Sequence, residues 1–193
     1  MSTDIDLDFG DRLQALQHIK HTPASIMRNG EWTRHNSGVY VTPVPCDPVT
    51  GLCSLDYEQA DALGYFKLDF LNVGVYQQVT SPEHLTELMT RTPPWHRLKE
   101  REFVEQVIHI NAHWDLLQRM PEAVDTIPRM AMFLSVIRPA KRHLAGKVWR
   151  EVAETVWDKP QDNSYYFKKS HAVSYAHLVV VHMNLIDLAN QGN

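Results

Sequence analysis

Residues 4–9, DIDLDF, alternate polar and apolar with period two, the pattern of a strand with one buried face. Alternation puts Asp4, Asp6 and Asp8 on one face and predicts that Ile5, Leu7 and Phe9 meet a core. Gly10 and Asp11 break the pattern, and residues 12–21 read as a helix. Residues 22–36 are polar and lack a period, so irregular structure is expected there. GVYVTPV at 38–44 is β-branched and aromatic and predicts a second strand. A loop follows over 43–53, with turn chemistry at Asp47-Pro48 and Thr50-Gly51. Residues 54–64 read as a short helix from a capping Ser54 to a stop at Gly64. YFKLDFLNV at 65–73 alternates again and predicts a third strand.

From Ser81 the period becomes helical. Ser81-Pro82-Glu83 is a helix start, and Pro93-Pro94 ends that helix near Arg91. Further helices are expected over about 98–119, 122–137, 140–157 and 168–189, with Pro121, Pro139 and Pro160 at their boundaries. The fold class expected is α+β: a small mixed sheet over residues 1–80, then a helical region over 81–193, as two parts or one compact domain.

Composition narrows the setting. The chain has 193 residues, 44% hydrophobic and 22% charged, which is ordinary for a globular protein. Two cysteines, Cys46 and Cys53, exclude a disulfide framework and a four-thiolate zinc site. No apolar run reaches 18 residues and the N-terminus is acidic, so no membrane span and a cytoplasmic location are expected. Net charge is −4, which argues against a simple basic nucleic-acid binder. Residues 1–90 hold 5 Lys/Arg against 12 Asp/Glu, whereas residues 91–193 hold 14 against 11. An acidic half followed by a mildly basic one suits a metal-holding segment followed by a phosphate-touching one, or solvated helix faces.

Three in-line carboxylates, about 7 Å apart per step, repel one another unless cations or solvent absorb the field. The strand is therefore either a metal site or an edge protected by acidic residues. Asp69, among Phe66, Leu68 and Phe70, is an expensive placement without a partner. If its strand lies beside 4–9, Asp6, Asp8 and Asp69 can hold two Mg²⁺ ions while Lys67 neutralises a phosphate. The competing arrangement is a buried Lys67–Asp ion pair joining the strands.

The segment Asp4 to Arg12 resembles the "PDxDxDF…R" strand of the bacterial replicative DNA polymerase III alpha subunit, the C-family polymerases. Residues 34–43, RHNSGVYVTP, are similar to that family's "HAAGVVIAP"-type strand, and 60–71, ADALGYFKLDFL, to its "LGLxKxDFLGL" strand. Ile137-Arg138-Pro139 resembles the family's Arg-Pro-Gly corner, and 166–176, YFKKSHAVSYA, its fingers motif "GFNKSHAxxYA". The matches run in family order over residues 4–176. Asn72, Ala140 and Lys168 stand where the family has glycine, glycine and asparagine. The phosphoesterase-like domain, Gly-Ser nucleotide motif, thumb and clamp-binding region have no counterpart.

The resemblance implies a palm of the polymerase β-like nucleotidyltransferase type followed by helical fingers. It implies metal binding by Asp6, Asp8 and Asp69, with Mg²⁺ or Mn²⁺ as cofactor and Asp4 at an outer position of open role. Lys67 matches the basic residue beside the third aspartate. Lys168, Lys169, Ser170, His171 and Arg138 match positions near nucleotide and DNA. The function implied is that of a miniature, virus- or plasmid-type (phage) polymerase acting on DNA primer-template and dNTP, with host replication proteins as partners and no membrane. The alternative is a catalytically inactive relative serving as a binding, inhibitory or structural module.

Smaller features carry blander expectations. His109 and His113 are expected at i, i+4 on a helix, as surface or interfacial histidines. His177 and His182 are expected in a core or interface. Lys141, Arg142, Lys147 and Arg150 are expected to cluster on one helix, touching phosphate or solvent. The five tryptophans offer stacking platforms or core packing.

Overall fold

A computed structural model describes residues 5–162 and 164–191. Asp4 and Asn163 lie outside the described residues. The chain is α+β and divides into two compact units, Met1–Val79 and Thr80–Asn193.

The first unit is built on a four-stranded mixed sheet of β1 (Ile5–Phe9), β2 (Thr22–Arg28), β3 (Glu31–Tyr40) and β4 (Leu68–Asn72), in the order β1-β4-β3-β2. β1 and β4 pair in parallel, while β4–β3 and β3–β2 are antiparallel. β2 and residues 31–36 of β3 occupy the stretch expected to be irregular, and the strand expected over 38–44 is the end of β3, which stops at Tyr40. They form a hairpin closed by Asn29 and Gly30 at φ 52° and 83°. Two positive-φ residues in an Asn-Gly pair are what a type I′ turn requires, so the signal was present in the sequence.

α1 (Arg12–Gln17) is shorter than the helix expected over 12–21 and is capped by Asp11, which accepts from the Leu13 and Gln14 amides. It places Leu16 against Val39 and Phe70, with Phe9 stacked on Phe70 at 4.8 Å between ring centres. Ile5 and Leu7, expected in the core, stay 38% and 36% exposed. β1 is an edge strand, and a six-residue helix is too short to cover its full length.

α2 (Tyr57–Ala62) begins with an Asp56–Gln59 capping box and packs Ala60 beside Ala24, Tyr40 and Cys53. Residues 53–56 cover the outer edge of β2. The Cys53 amide donates to the Pro23 carbonyl at 2.9 Å and the Met27 amide to Asp56 at 2.8 Å. Ser25, fully buried, donates its hydroxyl to the carbonyls of Cys53 and Leu55. Both cysteines are free thiols.

The second unit is helical. It comprises α3 (Pro82–Thr90), α4 (Arg101–Val104), α5 (Trp114–Gln118), α6 (Ile127–Val136), α7 (Trp149–Thr155) and α8 (Lys169–Gln191), with 3-10 turns at Trp95–Lys99 and Pro139–Leu144. Ser81 caps α3 by accepting the His84 amide, with Pro82 at the first position, as expected. The single helices expected over 98–119 and 140–157 are each broken. Gly146 at φ 85° interrupts the second. His109 at φ 66° sits in the irregular stretch between α4 and α5, so His109 and His113 share no helix.

α8 packs on α6 through Ala172, Ala176, Val179 and Met183, spaced four, three and four residues apart on one stripe. By length and composition α8 would also pass for a membrane span, contrary to the expectation that no segment does. That stripe is buried among Met130, Phe133, Leu134 and Phe167, which makes α8 the core helix of its unit. Asn184, fully buried, donates to the Leu88 and Arg91 carbonyls at 2.8 and 3.1 Å and ties α8 to the end of α3.

Candidate functional site

The parallel register of β1 and β4 pairs Asp6 with Asp69 and Asp8 with Leu71. Register partners in neighbouring strands point to the same face, so Asp6, Asp8 and Asp69 share one side of the sheet. The next position across is Gly38 on β3. A Cβ there would lie 2.8 Å from Lys67 Cδ, 2.9 Å from His35 Nδ1 and 3.1 Å from Ala24 Cβ. Glycine at 38 leaves room for the Lys67 side chain as it folds back onto Asp69.

Asp69 is held on both oxygens. Ser37 Oγ donates to Oδ1 at 2.6 Å, and Lys67 Nζ pairs with Oδ2. His35 Nδ1 lies 3.8 Å from Oδ1 and accepts the Gly38 amide at 2.9 Å, which fixes the ring as neutral with its proton on Nε2. Burial pushes the Asp69 carboxyl up. The hydrogen bonds of Lys67 and Ser37 and the charge of Lys67 outweigh it, and the carboxyl sits below its ordinary value. His35 is lowered by burial and by Lys67, with Asp69 opposing. Its ring lies 5.2 Å from that of Tyr57, which closes this end of the cluster.

Asp8 behaves in the opposite way. Burial and the Asp6 charge raise its pKa. Asp8 in turn acts on Tyr76, whose phenol is raised by burial and then by that carboxylate. The donor set is hard oxygen, and the crowding of Asp6 and Asp8 is the kind that a divalent cation relieves. Among the described residues, no three His, Cys, Asp or Glu side chains converge at metal-ligand spacing. In this arrangement Asp69 is engaged by Lys67 and Ser37.

Arg12 frames the site from α1. Its side chain donates to the Asn36 carbonyl, and its amide donates to Asn72 Oδ1 at 2.7 Å. Asn72 thus links α1 to the end of β4. His35, Ser37 and Tyr57 escaped the sequence reading as site members. Only the polar His35-Asn36-Ser37-Gly38 run pointed at the first two.

In the second unit, Lys168, Lys169 and Ser170 are exposed at the start of α8 and His171 is half-buried. Ser164 donates its hydroxyl and amide to Asp162, ahead of the helix. Tyr175 packs: Phe167 stacks on it at 5.4 Å and His109 meets it edge-on at 4.6 Å. Arg138 lies over Phe167, 3.9 Å from the ring centre.

Lys141, Arg142, Lys147 and Arg150 do not form one helical cluster. Lys141 is 5% exposed and donates to the Thr155 carbonyl at 2.6 Å, closing the end of α7. Trp149 is buried and donates to the Ala123 carbonyl, whereas Trp32 is exposed. No protein-family model, curated protein or solved structure matches the chain.

Proposed function

We propose that the chain is a miniature, virus- or plasmid-type relative of the bacterial DNA polymerase III alpha subunit, with a nucleotidyltransferase site on a polymerase β-like palm formed by the first unit. The observation that carries this reading is the register of Asp6 with Asp69 on parallel neighbouring strands, with Asp8 on the same face. The substrates are a DNA primer-template and dNTP, with host replication proteins as partners in the cytoplasm.

Asp6, Asp8 and Asp69 would hold Mg²⁺ or Mn²⁺, which supplies activation of a 3′-hydroxyl and neutralisation of triphosphate charge. Lys67 screens charge beside Asp69 and is available to a phosphate oxygen once that carboxylate has another cation. Lys168, Lys169, Ser170, His171 and Arg138, in the second unit, would donate hydrogen bonds to phosphate groups of nucleotide or DNA. Primer extension with Mg²⁺ or Mn²⁺, with and without host replication proteins, tests the activity. Calorimetric Mg²⁺ titration of wild type and Asp69→Asn tests the site: no binding, or equal binding by both, overturns it.

A specific observation favours a second reading, a catalytically inactive relative that binds or inhibits the host polymerase machinery. Asp69 is already neutralised by Lys67 and hydrogen-bonded by Ser37, as a retired metal ligand would be. Capture of host replication proteins by a chain that extends no primer and binds no Mg²⁺ would decide for it.

A further inference from the structure

Arg138, just past α6, is a half-buried cation without an anion. Its Nε is buried with no hydrogen-bond partner, and no carboxylate of the described residues reaches its guanidinium. Aromatic rings hold it instead. Phe167 lies 3.9 Å below it and Tyr165 5.8 Å away, and Phe167 is itself stacked on Tyr175. Stacking fixes the plane of the guanidinium and leaves its hydrogen-bonding edge to another partner. Desolvating a guanidinium without a partner is unfavourable, so the arrangement is one that an anion completes.

The surrounding groups have the matching sign. His109 sits edge-on to Tyr175, and its Nε2 is buried without a partner. Burial, then the charges of Arg138 and His182, hold it down to about 4. His113 is lowered by burial and then by Arg142 and Arg138. His182 is engaged as acceptor of the Ile108 amide at 3.0 Å, and Arg142 donates to the Ile137 carbonyl at 2.7 Å. The groups acting on the two imidazoles are therefore Arg138, Arg142 and His182, with the Tyr175 ring against His109; none is a carboxylate.

We propose that Arg138, braced on Phe167, anchors a phosphoryl-binding site in the second unit. This deepens the nucleotide-binding role of Arg138 and rests on that reading only for the source of the phosphate. Asp6, Asp8 and Asp69 take no part in it. Arg138 supplies the planar fork that suits two oxygens of one phosphoryl group. A bound anion favours both imidazolium forms, so binding takes up protons and tightens as pH falls.

The full chain is titrated calorimetrically with pyrophosphate, a dNTP and a single-stranded oligonucleotide. Arg138→Met should weaken pyrophosphate binding by about tenfold or more. Arg138→Lys keeps the charge without the fork and should fall between the two. Sulfate, whose charge is constant, should bind wild type more tightly at about pH 5.5 than at about pH 7.5. That difference should vanish in His109→Asn/His113→Gln, asparagine being tolerated at the left-handed position of His109. Preference for dNTP over oligonucleotide assigns the phosphate to a free nucleotide, and the reverse assigns it to a strand backbone; both support the site. No binding of any phosphate probe, or equal pyrophosphate binding by wild type and both Arg138 variants, overturns it. A pH-independent sulfate affinity removes the histidines. Failed primer extension with intact pyrophosphate binding sinks only the polymerase reading.

Discussion

Ser37 donates a hydrogen bond to Asp69 at 2.6 Å across the β3–β4 pair, and Lys67, the residue before β4, closes on the other carboxylate oxygen. Side chains from β3 and from the start of β4 thus converge on a single carboxylate. That carboxylate sits in register with Asp6, and the cost of placing it there is met within the sheet.

Lys67→Met should destabilise the protein by about 1–3 kcal/mol at neutral pH, read by urea unfolding, because it leaves a half-buried carboxylate with Ser37 alone. The folded Asp69 pKa lies below its ordinary 3.8, so its contribution is present above that value and is lost as pH falls through the folded value. Stability of wild type should therefore fall more steeply on acidification below about pH 4 than stability of Lys67→Met. Parallel pH profiles would show that the pair contributes nothing.

Asp8 predicts the opposite sign. Its folded pKa is raised by burial and by Asp6, so ionisation destabilises the folded state as pH rises through that value. Asp8→Asn should unfold at a higher temperature than wild type at pH 7, and the gain should shrink on acidification towards pH 4. Saturating Mg²⁺, if bound, should stabilise wild type and not the variant. A variant less stable than wild type at pH 7 would contradict the crowding of Asp6 and Asp8.

Gly38→Ala should cost about 1–3 kcal/mol. The added methyl meets Lys67, which is flexible, but also the His35 ring and Ala24, which are held by hydrogen bonding and by the sheet. Displaced Lys67 should release Asp69, so the variant should also show a higher Asp69 pKa by NMR titration. Wild-type stability together with a wild-type Asp69 titration would mean that the β3 backbone shifts to absorb the methyl.

Lys169→Ala removes an exposed cation at the start of α8 without touching the core. Folding should be unchanged. If the second unit contacts DNA there, binding should weaken and its log–log salt slope should become shallower by about one unit. An unchanged slope would make Lys169 a solvated helix-end residue.

Local rules carried much of the fold. Period-two alternation in 4–9 and 65–73, and the Ser81-Pro82 start, depend on neighbours a few residues apart, and strands form within those stretches at Ile5–Phe9 and Leu68–Asn72, with a helix from Pro82. Two misreadings had visible signals. Asn29-Gly30 marks the hairpin hidden in the stretch taken as irregular, and Gly146 marks the break in the helix expected over 140–157. The break at His109 had none, because no glycine or proline is present and packing against Tyr175 holds its left-handed backbone.

The sequence by itself determined that Asp6 and Asp8 share a strand face and that Asp69 needs a partner, because strand alternation and the cost of a buried charge are local facts. Only the tertiary structure decided which partner. Parallel pairing of β1 with β4 sets Asp6 against Asp69, and antiparallel pairing of β3 with β4 brings Ser37, His35 and the gap at Gly38 to the same place. It likewise exposes Ile5 and Leu7, buries Lys141 and leaves Arg138 on Phe167 without a carboxylate partner among the described residues. Each of these depends on residues tens of positions apart. A residue's own type and spacing state what it requires, while strand order and helix packing decide what meets it.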